Sequence, residues 1–98
     1  MKVSVGPKSP RLSFPNQSRS FDAKRHRVCF WGYDSAIEIS FFVEAGALQK
    51  LDPEMSGTEA ESLRAFDAAR ERIHEVADKV YGASRRGSYA FTLAAVDF

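Results

Sequence analysis

Residues 58–81 carry the longest regular pattern in the chain and constrain its fold most. Apolar residues recur there at spacings of three and four, which places them in one stripe of a helix. The stripe contains Leu63, Phe66, Ile73, Val76, Ala77 and Val80. Either Ser56 or Thr58 can begin the helix, because each is followed three residues later by a glutamate, as in a capping box. Gly82 is expected to end it. The apolar stripe of such a helix needs a partner layer.

The rest of the chain supplies candidates for that layer. Alternating apolar residues and a short polar turn at 33–36 predict a β-hairpin over 27–43. A short helix is predicted at 44–51, before Pro53, and a last strand at 88–93. We therefore expect an α+β fold, in which a small antiparallel sheet packs against the long helix and the short one.

Length and composition indicate one small domain. The chain has 98 residues, of which 44% are hydrophobic, enough for a packed core. Residues 1–10 are rich in Pro, Ser and Lys and are predicted to be a flexible tail, with the domain at 11–98. The first residues lack the apolar run of a secretory signal, and no stretch approaches the roughly 20 apolar residues that span a bilayer. We expect a cytoplasmic protein with no membrane partner.

A resemblance to a known family covers about residues 11–98. It rests on the overall pattern of three runs: SFPNQSRSFDAKRHRVCFWGYDSAIEISFFVEAGALQKL, then AFDAARERIHEVA, then SYAFTLAAVDF. Together they resemble a bacterial family catalogued as domain of unknown function 1488. The resemblance implies a compact bacterial α+β domain, and it brings no activity, cofactor or catalytic residue.

The predicted hairpin has a second face that is unusually aromatic. If Phe30 faces the helix, strand alternation turns Trp31 and Tyr33 to the other side, together with Phe42. Exposed Trp and Tyr are typical anchors of protein interfaces. This face is therefore a candidate surface for self-association or for another protein. The alternative is that the N-terminal segment folds across the face and buries these rings, through one or more of Leu12, Phe14 and Phe21.

Basic residues gather beside these aromatics. Residues 1–27 carry seven Lys and Arg against one acid, although the whole chain has a net charge of only +1. The basic set comprises Arg19, Lys24, Arg25, His26 and Arg27, with Arg85 and Arg86 as further candidates. Aromatic rings with a basic rim can bind single-stranded nucleic acid. The motif of the RNA-recognition sheet is absent, so nucleic-acid binding is the second hypothesis.

One edge of the long helix carries titratable side chains at three- and four-residue steps: Asp67, Arg70, His74 and Asp78, with Tyr81 nearby. An Asp–His pair could act in acid–base chemistry. Such charges more often form ion pairs along a helix, and the sequence supplies no nucleophile or substrate loop. We expect a structural role for this edge and no catalytic residues.

The sequence contains no motif for binding a metal ion or a cofactor. The two histidines, His26 and His74, lie on different predicted elements, and the single Cys29 lies inside a strand. No phosphate-binding loop or dinucleotide fingerprint occurs. The sequence thus predicts a protein that is not an enzyme, has no cofactor and acts through interaction. Its candidate surface is formed by Trp31, Tyr33, Phe42, Arg25 and Arg27, and its partner is a second copy or an unknown protein.

Overall fold

The computed structural model describes residues 12–84 and 88–98. The predicted tail at 1–10 and the Arg85–Arg86 pair lie outside these ranges. In chain order the elements are β1 (Arg19–Asp22), β2 (Arg27–Asp34), β3 (Ile37–Glu44), α1 (Ala45–Leu51), α2 (Glu59–Ala68), α3 (Arg70–Ala83), β4 (Ala90–Leu93) and a 3₁₀ turn (Ala95–Asp97). The α+β class, the hairpin and the short helix are confirmed.

The four strands form one sheet in the order β1-β2-β3-β4. The pairs β1–β2 and β2–β3 are antiparallel, as expected, but β4 runs parallel to β3. The sheet is therefore mixed, and the prediction of a purely antiparallel sheet was wrong. The reason is the connection, since the helices between β3 and β4 return the chain to the end of the sheet from which β3 started.

The long helix is interrupted at Ala69. This residue has φ −110° and ψ 18°, outside the helical region, and separates α2 from α3. Its N–H group is shared between the carbonyls of Ala65 and Phe66, at 3.2 and 3.1 Å. The apolar stripe continues across the break, because Phe66 and Ile73 are both fully buried. The prediction of one unbroken helix over 58–81 was wrong in this respect.

The predicted start of the helix is confirmed and the predicted stop is not. The Thr58 side chain accepts a hydrogen bond from the backbone N–H of Glu61, which makes Thr58 the N-cap. Gly82, however, lies inside α3, which ends one residue later with Ser84 as its C-cap. The Ser84 hydroxyl donates to the carbonyl of Tyr81 at 2.7 Å and satisfies that end of the helix.

The core lies between one face of the sheet and the helices. The sheet contributes alternate residues, and the helices contribute their apolar stripes. The fully buried large side chains are Val28, Phe30, Ile39, Phe41, Val43, Leu48, Phe66, Ile73 and Leu93. Since these residues all point to one side of the sheet or come from the helices, the opposite side of the sheet is left as a separate surface. We call it the outer face.

Candidate interaction surface

The outer face follows directly from the strand register. Residues that alternate with the buried ones point away from the helices, and directly paired residues share a side. In β2 and β3 the alternation is regular, with buried and partly exposed positions in turn. The outer-face residues are Ser20, Asp22, Arg27, Cys29, Trp31, Tyr33, Glu38, Ser40, Phe42, Glu44, Ala90 and Thr92.

Two aromatic side chains occupy the centre of this face. Trp31 lies opposite Ser40, and Phe42 lies opposite Cys29, in the β2–β3 register. All four are partly exposed. Burial raises the pKa of the Cys29 thiol, so the thiol stays protonated at neutral pH and is a weak nucleophile. The centre is thus largely apolar. On β2 the small Cys29 lies beside the large Trp31, and on β3 the small Ser40 lies beside the large Phe42.

Arg27 is held flat against this centre. Its guanidinium lies 3.9 Å above the centroid of the Phe42 ring, and its Nε donates to Asp22 at 3.2 Å. Desolvation tends to raise the pKa of Asp22, but hydrogen bonds from the backbone N–H of Arg25 and from the side chain of Arg27 lower it overall. Asp22 therefore remains charged and fixes the arginine in place.

The other end of the face carries a weaker polar pair. The Tyr33 hydroxyl donates to Glu38 across the strands at 3.3 Å. The negative charge of Glu38 raises the pKa of Tyr33, so the phenol stays protonated. At Tyr33 the sheet is extended by an isolated bridge to Ser13. The N–H and the carbonyl of Ser13 each form a hydrogen bond with the Tyr33 backbone at 2.8 Å.

Three apolar residues of the N-terminal segment, Leu12, Phe14 and Phe21, lie on the helix side of the sheet and not on the outer face. Leu12 is buried in the core cluster, and its N–H donates to Asp78 of α3 at 2.9 Å. Phe14 and Phe21 pack against the same core from the helix side. The alternative in which these three side chains bury Trp31 was therefore wrong. They fill the open edge of the core beside β1 and β2.

The basic set is not assembled into one patch. Arg25 lies in the β1–β2 turn with its side chain 67% exposed and 3.8 Å from Asp22, at the end of the outer face next to Arg27. Arg19 lies on the opposite side of the sheet, where it forms two hydrogen bonds to Asp67 at 2.7 and 3.0 Å. The basic residues that were expected to act together are thus divided between the two sides of the sheet.

The helix edge is engaged in structural contacts. Asp67 binds Arg19 from β1 and also Arg70 at 2.7 Å, and these bonds lower the pKa of its carboxyl group. His74 stacks on Phe14, and burial, with a smaller effect of Arg70, lowers its pKa to about 4. An Asp67–His74 pair is absent from the contacts of the described residues, because each side chain is held by a different partner.

An open cleft of about 820 Å³ adjoins this edge at the break between α2 and α3. It is lined by Gln17, Arg19, Asp67, Ala68, Ala69, Arg70, Glu71 and Arg72. Among its charged side chains, Arg19 and Arg70 both pair with Asp67, and Arg72 lies 3.9 Å from Glu75 outside the cleft. In residues 12–84 and 88–98 no group of His, Cys, Asp and Glu has the arrangement of a metal site. Over the same ranges no helix has the length and apolar character needed to cross a membrane.

The sequence prediction missed the acidic residues of the surface. Asp22, Glu38 and Glu44 all share the outer face with the aromatics. The alternation of β3 already places Glu38 on this side. Continuing the alternation two residues beyond Phe42 adds Glu44. Asp22 required the pairing of β1 with β2, which has no local sequence signal. The predicted set of Trp31, Tyr33, Phe42 and Arg27 is brought together, whereas Arg25 lies at its margin.

These features define a small α+β protein with a four-stranded mixed sheet, helices on one side and an amphipathic outer face on the other. The family model described as "Protein of unknown function (DUF1488)" matches residues 12–93, and the chain belongs to this family. The resemblance noted in the sequence is thereby confirmed.

One solved structure shows the same fold. It is the crystal structure of a protein of unknown function from the DUF1488 family of Shewanella loihica PV-4. Its TM-score is 0.70 at 18% sequence identity, and the match covers 86% of this chain and 94% of the other. At that identity the likeness concerns the fold alone. A comparison with curated proteins finds no match.

Proposed function

We propose that this protein acts by binding another protein chain, without catalysis, and that the outer face of the sheet is the contact surface. The observation that carries the proposal is the position of Trp31 and Phe42. Both lie on the side of the sheet that faces away from the core, and each keeps part of its surface exposed among the described residues. On a small protein, an exposed apolar patch commonly marks the site where a partner binds.

The composition of the face supports a protein partner. It combines Trp and Phe at its centre with an arginine at one end, and these residue types are enriched where binding energy is concentrated. Its margins are polar: Asp22 and Glu44 lie at one end, with Glu38 at the other. Arg27 already lies flat on Phe42, so little side-chain freedom is lost when a partner covers it.

Nucleic-acid binding is the weaker hypothesis on the same face. The outer face carries three carboxylates and one arginine among its strand residues, and Arg27 is already bound to Asp22. Phosphates would approach a surface of net negative charge, which opposes binding. Lys24 and Arg25 in the adjacent turn bring the sum to zero, which still leaves no net positive charge to attract phosphates.

A role without catalysis is supported by the helix edge. Asp67 and His74 are the acid–base pair that the sequence offered, and each is held by another partner. The Cys29 thiol has a raised pKa, which disfavours the reactive thiolate. The groups that could perform chemistry are thus engaged in stabilising the fold.

Site-specific photo-crosslinking in the native host tests the proposal. A photoreactive phenylalanine analogue replaces Tyr33 on the outer face or, as a matched control, Lys79 on the exposed side of α3. We expect protein adducts from position 33 that disappear when Phe42→Lys is added, and few from position 79. Equal adducts at both positions, or adducts to RNA alone at position 33, would overturn it.

A further inference from the structure

The cross-strand pairs of the outer face are complementary to one another. In the β2–β3 register Arg27 lies opposite Glu44, and Trp31 lies opposite Ser40. The other two pairs follow the same rule, with Cys29 opposite Phe42 and Tyr33 opposite Glu38. Each pair thus joins opposite charges, a small and a large side chain, or a hydroxyl group and a carboxylate.

This pattern is self-complementary under one particular rotation. A two-fold axis that runs parallel to the strands, between β2 and β3, exchanges the positions of the two strands. Two copies related in this way face each other with Arg27 over the partner's Glu44 and Trp31 over the partner's Ser40. We propose that the partner of the outer face is a second copy of this chain, packed sheet to sheet about this axis. The inference rests on the function proposed above and specifies its partner.

The other simple arrangement is disfavoured. A two-fold axis across the strands would place each strand over its own copy in the opposite direction. The two ends of β3 would then meet, with Glu38 over the partner's Glu44, and like charges facing each other oppose association. The axis parallel to the strands avoids this contact. Both axes keep the strands of the two sheets aligned, as in common face-to-face packing, so the charges decide between them.

The size of the face sets the strength of the contact. Two strands of eight residues and two of four, about 4.8 Å apart with about 3.3 Å per residue, give a face of roughly 380 Å² per copy. Two copies together would bury roughly 760 Å², which is typical of weak, transient contacts. We therefore expect a weak, reversible dimer with a dissociation constant of roughly 10–100 μM.

The charge pair at the margin allows a test by exchange. Arg27→Glu places carboxylates on both sides of the contact in a homodimer, and Glu44→Arg places guanidinium groups there. A 1:1 mixture restores opposite charges at both symmetric contacts, because each introduced charge meets its opposite in the other variant. Analytical ultracentrifugation of the full chain gives the dissociation constant for the wild type, for each variant and for the mixture.

The expected result is a dimer for the wild type, a dissociation constant at least about tenfold higher for each variant alone, and recovery in the mixture. Circular dichroism checks that each variant is folded. Ser40→Arg, which would clash with the partner's Trp31, should also give a monomer, whereas Lys79→Glu on α3 should leave the dimer unchanged. A wild type that stays monomeric at 1 mM (roughly tenfold or more above the expected constant), or variants that do not recover in the mixture, would overturn the inference.

These results are separable from the function proposed above. A monomeric wild type that still forms protein adducts from position 33 in its native host would refute the homodimer and leave the interaction surface intact. Absence of both would refute both.

Discussion

The ring of Phe14 lies stacked on the imidazole of His74, with centroids 3.8 Å apart and planes 7° from parallel. The contact joins the segment before β1 to the middle of α3. It draws the N-terminal aromatic residue to the helix side of the sheet, and the same ring closes over Gly32 of β2. This arrangement explains why Phe14 does not cover Trp31.

His74 makes the stability of the fold depend on pH. Its pKa is about 4 in the folded state, below the ordinary value of 6.5, so the unfolded chain binds the proton first as pH falls. The stability that comes from keeping His74 neutral is therefore complete above pH 6.5 and is lost as the pH falls from 6.5 to about 4. For a half-buried group we expect a loss of about 1–2 kcal/mol after allowance for solvent screening.

The variant His74→Phe keeps a ring to stack on Phe14 and removes this titration. Urea unfolding at pH 8 and pH 5 should show a smaller decrease in unfolding free energy for the variant than for the wild type. An identical decrease in both proteins would contradict the role of His74, because Asp22 and Asp67, whose pKa values are lowered, lose their contributions only at more acidic pH.

Gly32 is required by the position of Phe14. A Cβ atom at position 32 would lie 2.6 Å from Cε1 of that ring, which is held on its other side by His74. Gly32→Ala should lower the unfolding free energy by about 1–3 kcal/mol, as for other overpacked sites. Combination with Phe14→Leu should recover part of the loss, since the two changes share one contact.

Gly46→Ala is the matched control for that substitution. Gly46 lies in α1, and a Cβ atom there would meet nothing within 4 Å. We expect stabilisation of up to about 1 kcal/mol from helix propensity alone. Thermal unfolding of both alanine variants checks the pair of predictions. Destabilisation of similar size at both positions would contradict the proposed role of the Phe14 contact.

The turn between β2 and β3 stores a small backbone strain. Ser35 has φ 58°, in the left-handed region that glycine adopts without penalty. Ser35→Gly should raise the unfolding free energy by about 0.5–1 kcal/mol, after the greater entropy of glycine in the unfolded chain is subtracted. Gly57→Ala should have the opposite effect, since Gly57 has φ 91°. Chemical denaturation that shows both changes with one sign would contradict this account.

Local signals account for the elements that the sequence predicted well. The alternation over 27–43 and the turn at 33–36 specify the hairpin, and the Thr58 cap begins α2 as expected. The parallel pairing of β4 depends on the path of the chain, which a local pattern does not contain. It could have been predicted from the order strand–helix–strand alone, because a helical crossover usually joins parallel strands.

Other differences had no signal in the sequence. No proline or glycine marks the break at Ala69, and the apolar period runs through it unchanged. Short β1 is held by its pairing with β2 and by the Arg19–Asp67 ion pair, both of which join distant parts of the chain. The aromatic side of the candidate surface followed from alternation, whereas its complementarity appeared only once the β2–β3 register was known.

Trp31 is the single tryptophan of the chain and reports directly on the central claim that the outer face binds a second copy of this chain. We would measure its fluorescence emission maximum over a wide range of protein concentration, and again with single-stranded RNA at low and moderate salt. The account predicts a blue shift as concentration rises, no effect of RNA, and loss of the shift in Ser40→Arg. An emission maximum that does not change with protein concentration, together with quenching by RNA that salt reverses, would contradict it and favour nucleic-acid binding.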